Sequence, residues 1–303
     1  MLSRKFVLML LICVSLLISA CQKKDQIQMI VPYGSTHISQ VHLMDNDIYQ
    51  RDLVLGPDPL IAAFGSEDYD VIFAPLILGV KMYQSKPNYK LLATIIESTF
   101  YLVTCNDRVS ELEDIKHQEI IIFGKGQTGD IITSYVLESL DIEVSKTYVD
   151  SLSDAAISFI RNEEKIVLVS EPIYAKLALL YDDIKTIDIM SYYRAISGID
   201  SVPQAGVFVH ERLSHEQVEK LLNDLNDAVD LLYDDIDLSL RNIKKDDPNM
   251  DESIFIKSLE SNYISLYEAN INKSNIEKYL ENILLFNPNI IGGSIPPDTF
   301  YWK

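Results

Sequence analysis

The chain has 303 residues, which at roughly 150 residues per domain suggests about two domains and a sizeable core. Apolar residues make up 48% and charged residues 23%, an ordinary globular mixture that excludes intrinsic disorder, and eleven Gly and eleven Pro exclude collagen-like or low-complexity chains. Twenty-six Lys and Arg against 45 Asp and Glu give a net charge of −19, a surface that repels phosphate backbones and argues against nucleic-acid binding.

Arg4 and Lys5 precede an apolar run from Phe6 to Ile18, followed by Ser19, Ala20 and Cys21. A basic start, an apolar stretch too short to span a bilayer comfortably and small residues before a cut site describe a secretory signal over residues 1–20. Ile18-Ser19-Ala20-Cys21, with polar Gln22-Lys23-Lys24-Asp25 after it, resembles a bacterial lipobox. That resemblance implies that Cys21 is acylated (palmitate-type chains), becomes the first mature residue, and tethers the protein through residues 21–25 to the outer face of the cell membrane. Each buried CH₂ contributes about 0.8 kcal/mol, so two or three chains anchor a protein stably. Loss of residues 1–20 removes two positive charges and no negative ones, taking the charge from −19 to −21. Cys13 leaves with the signal and Cys21 is modified, so Cys105 has no intrachain partner and reads as a core residue.

From Gln26 onward, short apolar runs alternate with helix-like stretches. Strands are expected at 28–31, 52–55, 70–74, 89–95 and 101–105, with short helices at 59–64 and 76–83. The pattern then restarts: strands at 119–123, 146–149, 166–170 and 186–190 alternate with helices at 130–140, 153–161 and 172–180. A last strand is expected at 205–209, after the loop 197–203. Strands alternating with helices imply a parallel or mixed sheet covered on both faces, here in two α/β blocks. The remainder reads as helical. Ser214 and Gln217 form a capping-box pattern before Val218, Leu221, Leu222, Leu225, Val229 and Leu232, the apolar face of one helix. Residues 244–251 read as a polar loop, 252–267 and 274–285 as further helices, and 286–303 as an irregular, packed tail.

In such sheets ligands bind beyond the carboxyl ends of strands, where helix N-termini point. Tyr33, Gly34, Ser35 and Thr36 follow the first strand, Ala74 and Pro75 the third, residues 124–129 open the second block, and Glu171-Pro172 comes later in it. Free backbone N–H groups, a helix dipole and hydroxyls suit an anion or another acceptor-rich group, although Ser35 and Thr36 equally suit a plain helix cap. Gly124-Lys125-Gly126-Gln127-Thr128-Gly129 is formally G-x-G-x-x-G, but an export signal and a mid-chain position speak against a dinucleotide. His37, His42, His117, His210 and His215 form no H-E-x-x-H pair, and there is no G-x-S-x-G elbow. No cofactor or metal is expected.

The order of Val31-Pro32-Tyr33-Gly34-Ser35, Gly56-Pro57-Asp58, Tyr69-Asp70-Val71-Ile72-Phe73-Ala74-Pro75, Gly124-Lys125-Gly126-Gln127-Thr128, Ser170-Glu171-Pro172 and Pro203-Gln204-Ala205-Gly206 resembles ABC-importer substrate-binding proteins of the nitrate/sulfonate/taurine and thiamine-precursor group. The resemblance implies a type II periplasmic-binding fold: two Rossmann-like lobes flanking a cleft, joined by two crossing segments near 105–107 and 202–206. Lobe 1 would take residues 26–105 and 203–303, with the helical C-terminal part packed on it, and lobe 2 residues 106–202. Tyr33, Gly34, Ser35, Thr36, Ala74 and Pro75 would line one wall; Gly126, Gln127, Thr128 and Glu171 the other; Thr99 and Gln204 would lie near the crossings. Related chains often carry a Trp-Gly-Asn-like turn where this one has Glu97-Ser98-Thr99-Phe100, and Glu97 disfavours an adjacent anion. The implied protein is a monomeric, lipid-anchored solute-binding component that delivers a small ligand to an ABC permease and its ATPase, without catalysis. An exported enzyme using Glu171 with Glu97, or a signalling or adhesion lipoprotein, are the alternatives on the same scaffold.

Overall fold

Apolar runs such as Val71–Pro75 and Ile166–Val169 are buried almost end to end, as expected of strands with helices on both faces. A computed structural model describes residues 26–261 and 263–303; the signal-like segment, Cys21 and the tether lie outside the described residues. The chain begins β1 (Ile27–Pro32), α1 (Ser35–Ile38), β2 (Tyr49–Val54), α2 (Asp58–Ser66), β3 (Val71–Pro75), α3 (Leu76–Ser85) and β4 (Tyr89–Glu97). It continues with β5 (Tyr101–Thr104), β6 (Glu119–Phe123), α4 (Thr128–Ser139), β7 (Ser145–Val149), α5 (Leu152–Arg161), β8 (Ile166–Val169), α6 (Ile173–Leu180), β9 (Lys185–Asp188) and α7 (Ile189–Ser197). It ends with β10 (Pro203–His210), α8 (His215–Asp234), α9 (Ile236–Asp246), α10 (Glu252–Leu259), β11 (Ile264–Glu268) and α11 (Lys273–Phe286).

These strands form two sheets, one of six strands in the order β11-β4-β10-β3-β1-β2 and one of five in the order β7-β6-β8-β5-β9. In the first, β1 is parallel to β2 and β3, while β10 runs antiparallel to both β3 and β4. In the second, β6 is parallel to β7 and β8, and β5 runs antiparallel to β8 and β9. The two-sheet α/β architecture expected from the sequence is present.

Successive residues of a strand serve opposite faces. Val71 and Phe73 join Val207 and Val209 against α8, while Ile72 and Ala74 join Phe208 against α2 and α3. Helix α8 carries the capping box: Ser214 N–H donates to Gln217 Oε1, and the Gln217 N–H donates to Ser214 Oγ. Its Val218, Leu221, Leu225, Val229 and Leu232 are buried, as the spacing required. In the second sheet Val103, Ile121, Val167 and Val169 face Phe159 of α5 and Leu177 of α6. Its other face, with Leu102, Ile120 and Leu168, belongs to the same apolar cluster as Ile30, Ile72 and Phe208 of the first sheet, with Tyr279, Leu280 and Ile283 of α11 in that cluster too.

Two expectations are corrected. Tyr101–Thr104 belongs to the second sheet, so the first crossing is 98–100 and not 105–107, and the lobe boundary drawn at residue 105 moves back accordingly. The Ser98 N–H donates to Val202 O at 2.8 Å, so this crossing lies beside the return crossing. The helix expected over 252–267 stops at Leu259 and becomes β11, because the open edge of β4 pairs with it (Ile264 opposite Ile96, Tyr267 opposite Thr94). The helical C-terminal part packs on the first sheet as expected, and it also reaches the second half, α10 packing on α6 and α11 on α4. Among the described residues no helix is long and apolar enough to cross a membrane.

Candidate ligand-binding site between the two sheets

Strand register brings a common set of ends together. In the first sheet Pro32 lies opposite Val54, Pro75 opposite Ala205, Glu97 opposite Pro203 and Ile264 opposite Ile96. In the second sheet Phe123 lies opposite Val149, and Tyr101 opposite both Val169 and Asp188. Only three residues separate Glu97 from Tyr101, so these two edges face each other across the crossings.

Glu171 stands at the centre of what the edges bring together. It follows β8 and is 5% exposed. Its N–H donates to Thr99 Oγ1 on the crossing at 3.2 Å, and its Oε2 accepts from the Ala175 N–H of α6 at 3.2 Å. Its Oε1 receives the Ser261 hydroxyl, from the loop between α10 and β11, at 3.5 Å. Burial pushes the Glu171 carboxyl up to about 7, against the smaller opposing pull of the Ala175 N–H, the Ser261 hydroxyl and Lys257. Beside it Tyr263 is 1% exposed, and its hydroxyl has no hydrogen-bond partner among the described residues although the Ser35 and Ser258 hydroxyls are close by. Ser35, Thr99 and Glu171 are therefore brought together. Tyr263 and Ser261 complete the group and were not legible, because local periodicity placed them inside a helix.

The rest of the first wall is more structural. Thr36 is buried and its hydroxyl donates to Pro32 O at 2.8 Å. Tyr33 is 46% exposed, with its ring edge-on to His37 at 5.4 Å. His37 in turn meets Asp246 at 3.0 Å, and Arg51 donates to the same carboxylate at 2.6 Å, so α1 is pinned to the end of α9. Burial holds the His37 imidazole below its usual range. Gly34 has φ 109°, a left-handed conformation that glycine adopts without strain, and helix α1 is a single turn. Ala74 is fully covered and Pro75 half-buried, while Gln204 falls at a register skip between β10 and β4.

The second wall's glycine loop is closed on itself. The Gly126 N–H donates to Asp130 Oδ2 at 2.8 Å, and Oδ1 of that buried carboxylate accepts from Ser134 and Tyr148. The Lys125 ammonium lies over the Tyr148 ring at 5.2 Å. Gly126 and Gln127 are exposed; Thr128 is buried beside the Tyr279 hydroxyl of α11. Nor are the two glutamates a pair: Glu97 Oε2 accepts from Ser201 on the return crossing at 2.7 Å, and its Oε1 is buried without a partner among the described residues. Burial raises the Glu97 carboxyl as well. Cavities of about 220 and 240 Å³ surround Trp302, beside Lys90 and His215, at the opposite end of the first sheet.

Neither a protein-family model nor a curated protein matches this sequence. Solved structures do. A crystal structure of an ABC transporter from Parabacteroides distasonis superposes with a TM-score of 0.78 at 17% identity, covering 92% of this chain and 99% of that one. The periplasmic aliphatic sulphonate binding protein of Escherichia coli gives 0.71 at 11% identity, with 93% of each chain covered. The ligand-binding component of an ABC-type import system from Staphylococcus aureus, solved with zinc bound, gives 0.62 at 15% identity, covering 90% and 97%. The chain has the two-lobed fold of the periplasmic binding proteins that serve ABC transporters.

Proposed function

We propose that the protein is an extracytoplasmic solute-binding lipoprotein that captures a small ligand between its two lobes and hands it to an ABC import permease driven by a partner ATPase. The observation that carries this reading is the meeting of half-buried Ser35 and buried Tyr263 from one lobe with Thr99 on the crossing and buried Glu171 at the edge of the other, where the Tyr263 hydroxyl has no partner among the described residues and Glu171 accepts only long hydrogen bonds. The lipobox-like Ile18-Ser19-Ala20-Cys21 supports export and acylation at Cys21, and the shared fold supports the class of activity. Sulphonate and zinc in the names of two fold neighbours belong to those proteins, and the fold leaves the solute open. A ligand that touches both lobes favours the closed arrangement by its differential affinity for it, and that closed form is what a permease would recognise.

The test is a calorimetric and thermal-shift screen of the mature chain with small charged and neutral solutes, repeated on Ser35→Ala and Thr99→Ala. Saturable binding weakened tenfold or more in either variant is the expected result, and binding unchanged in both places the site elsewhere. In cells, Cys21→Ser should release the protein or leave its precursor uncut.

A further inference from the structure

The incomplete set of contacts around Glu171 points to the chemistry of the solute, and the inference below rests on the capture reading above. An ionised carboxylate offers about four acceptor positions. Among the described residues Glu171 accepts only from the Ala175 N–H at 3.2 Å and the Ser261 hydroxyl at 3.5 Å, both long, while 95% of the residue is shielded from solvent. Among the described residues no Lys or Arg forms an ion pair with it. Lys257 of α10, whose charge reaches Glu171, is held by Glu260 at 2.5 Å, and Arg194 of α7 pairs with Asp188 at 3.7 Å. The other groups facing it are Glu260, which adds negative charge, and the phenols of Tyr101 and Tyr263. Tyr263 brings a hydroxyl that has no partner among the described residues and can accept a hydrogen bond. The second wall offers an anion little, since the Gly126 N–H already serves Asp130.

We propose that Glu171 is the anchor for a solute that presents a protonated nitrogen, so that the cleft takes a small organic cation, with the Tyr263 and Ser35 oxygens as further acceptors. A buried carboxylate without a counter-ion is costly, and a cation that supplies one gains most of its affinity there. The net charge of −19 raises the local concentration of such cations.

The experiment follows the carboxyl carbon of Glu171 by NMR in the mature chain labelled at glutamate, its signal identified by its loss in Glu171→Gln. The probes are ethylammonium, acetamidinium and imidazolium chlorides, against sodium ethanesulfonate, nitrate and bicarbonate. With a bound cation, the titration midpoint of Glu171 should fall by at least one pH unit, and none of the anions should lower it. Calorimetry on the unmutated chain, which needs no variant, should show affinity for that cation falling about tenfold per pH unit below the free midpoint. Glu171→Gln should weaken it tenfold or more. No response to any of the three cations, or equal binding to Glu171→Gln, overturns the assignment. If an anion or neutral solute then binds in a Ser35-dependent way, solute capture stands and only its chemistry is wrong; if no solute binds at all, both fail.

Discussion

The turns at 33–36 and 124–129 carry the same ingredients, glycine and hydroxyl residues directly after a strand, yet they differ in where their polar groups point. The first leaves Ser35 beside an unsatisfied Tyr263 hydroxyl that faces the other lobe. The second folds its backbone onto its own Asp130 and is roofed by Tyr279 of α11. A glycine-rich turn before a helix is therefore a binding element only if nothing local has already taken its donors. Four residues downstream, one acidic side chain decides that here.

Substitutions can break this contrast. The largest effect is expected for Tyr279→Ala, which removes a fully buried ring between the lobes and should cost about 4 kcal/mol in chemical denaturation. Tyr279→Phe removes only a hydroxyl that has no hydrogen bond among the described residues and should stay within about 1 kcal/mol of the parent. Next comes Asp130→Ala, which strands the donors of Gly126, Ser134 and Tyr148 and should cost roughly 3 kcal/mol while the remaining folded protein keeps its solute affinity. Ser35→Ala should do the reverse, with stability within about 0.5 kcal/mol and affinity lost. Similar stability losses for Asp130→Ala and Ser35→Ala would erase the distinction between the turns.

A pH series sharpens it. The Glu171 carboxyl is raised in the folded chain, so the folded state binds more protons than the unfolded one between the usual carboxylate range and about 7. Its stabilising contribution is thus fully present below that range and is lost as pH rises through about 7. Glu171→Gln should remove this slope, leaving the variant more stable than the parent at pH 8 by on the order of 2 kcal/mol and close to it at pH 4. A parent whose stability shows the same slope with and without Glu171 would place the carboxyl in contact with water.

Much of the scaffold was legible because it is written locally. The runs that became β3, β6 and β8 are apolar segments, β3 ending at Pro75 and β6 running into Gly124, and α8 announces itself by its cap and its three-and-four spacing. What was not legible depends on partners distant in sequence. Tyr101–Thr104 is an apolar strand in either sheet, and only pairing with Val169 and Asp188 assigns it. Ile264–Glu268 reads as helix until the edge of β4 is there to receive it, and with that error Ser261 and Tyr263 were hidden. Glu171 and Thr99 were visible as loop residues of a recognisable arrangement; their mutual contact was not.

The interleaving of the first sheet has a consequence for biogenesis. All five strands of the second sheet lie in one stretch, residues 101–188, so that half can be assembled as soon as it emerges. The six-stranded half must wait for β10 and then for β11 at 264–268, leaving β4 with a bare flank through most of synthesis. A nascent chain cut before residue 264 should yield a protease-resistant fragment from its middle and a sticky, chaperone-dependent remainder from its start.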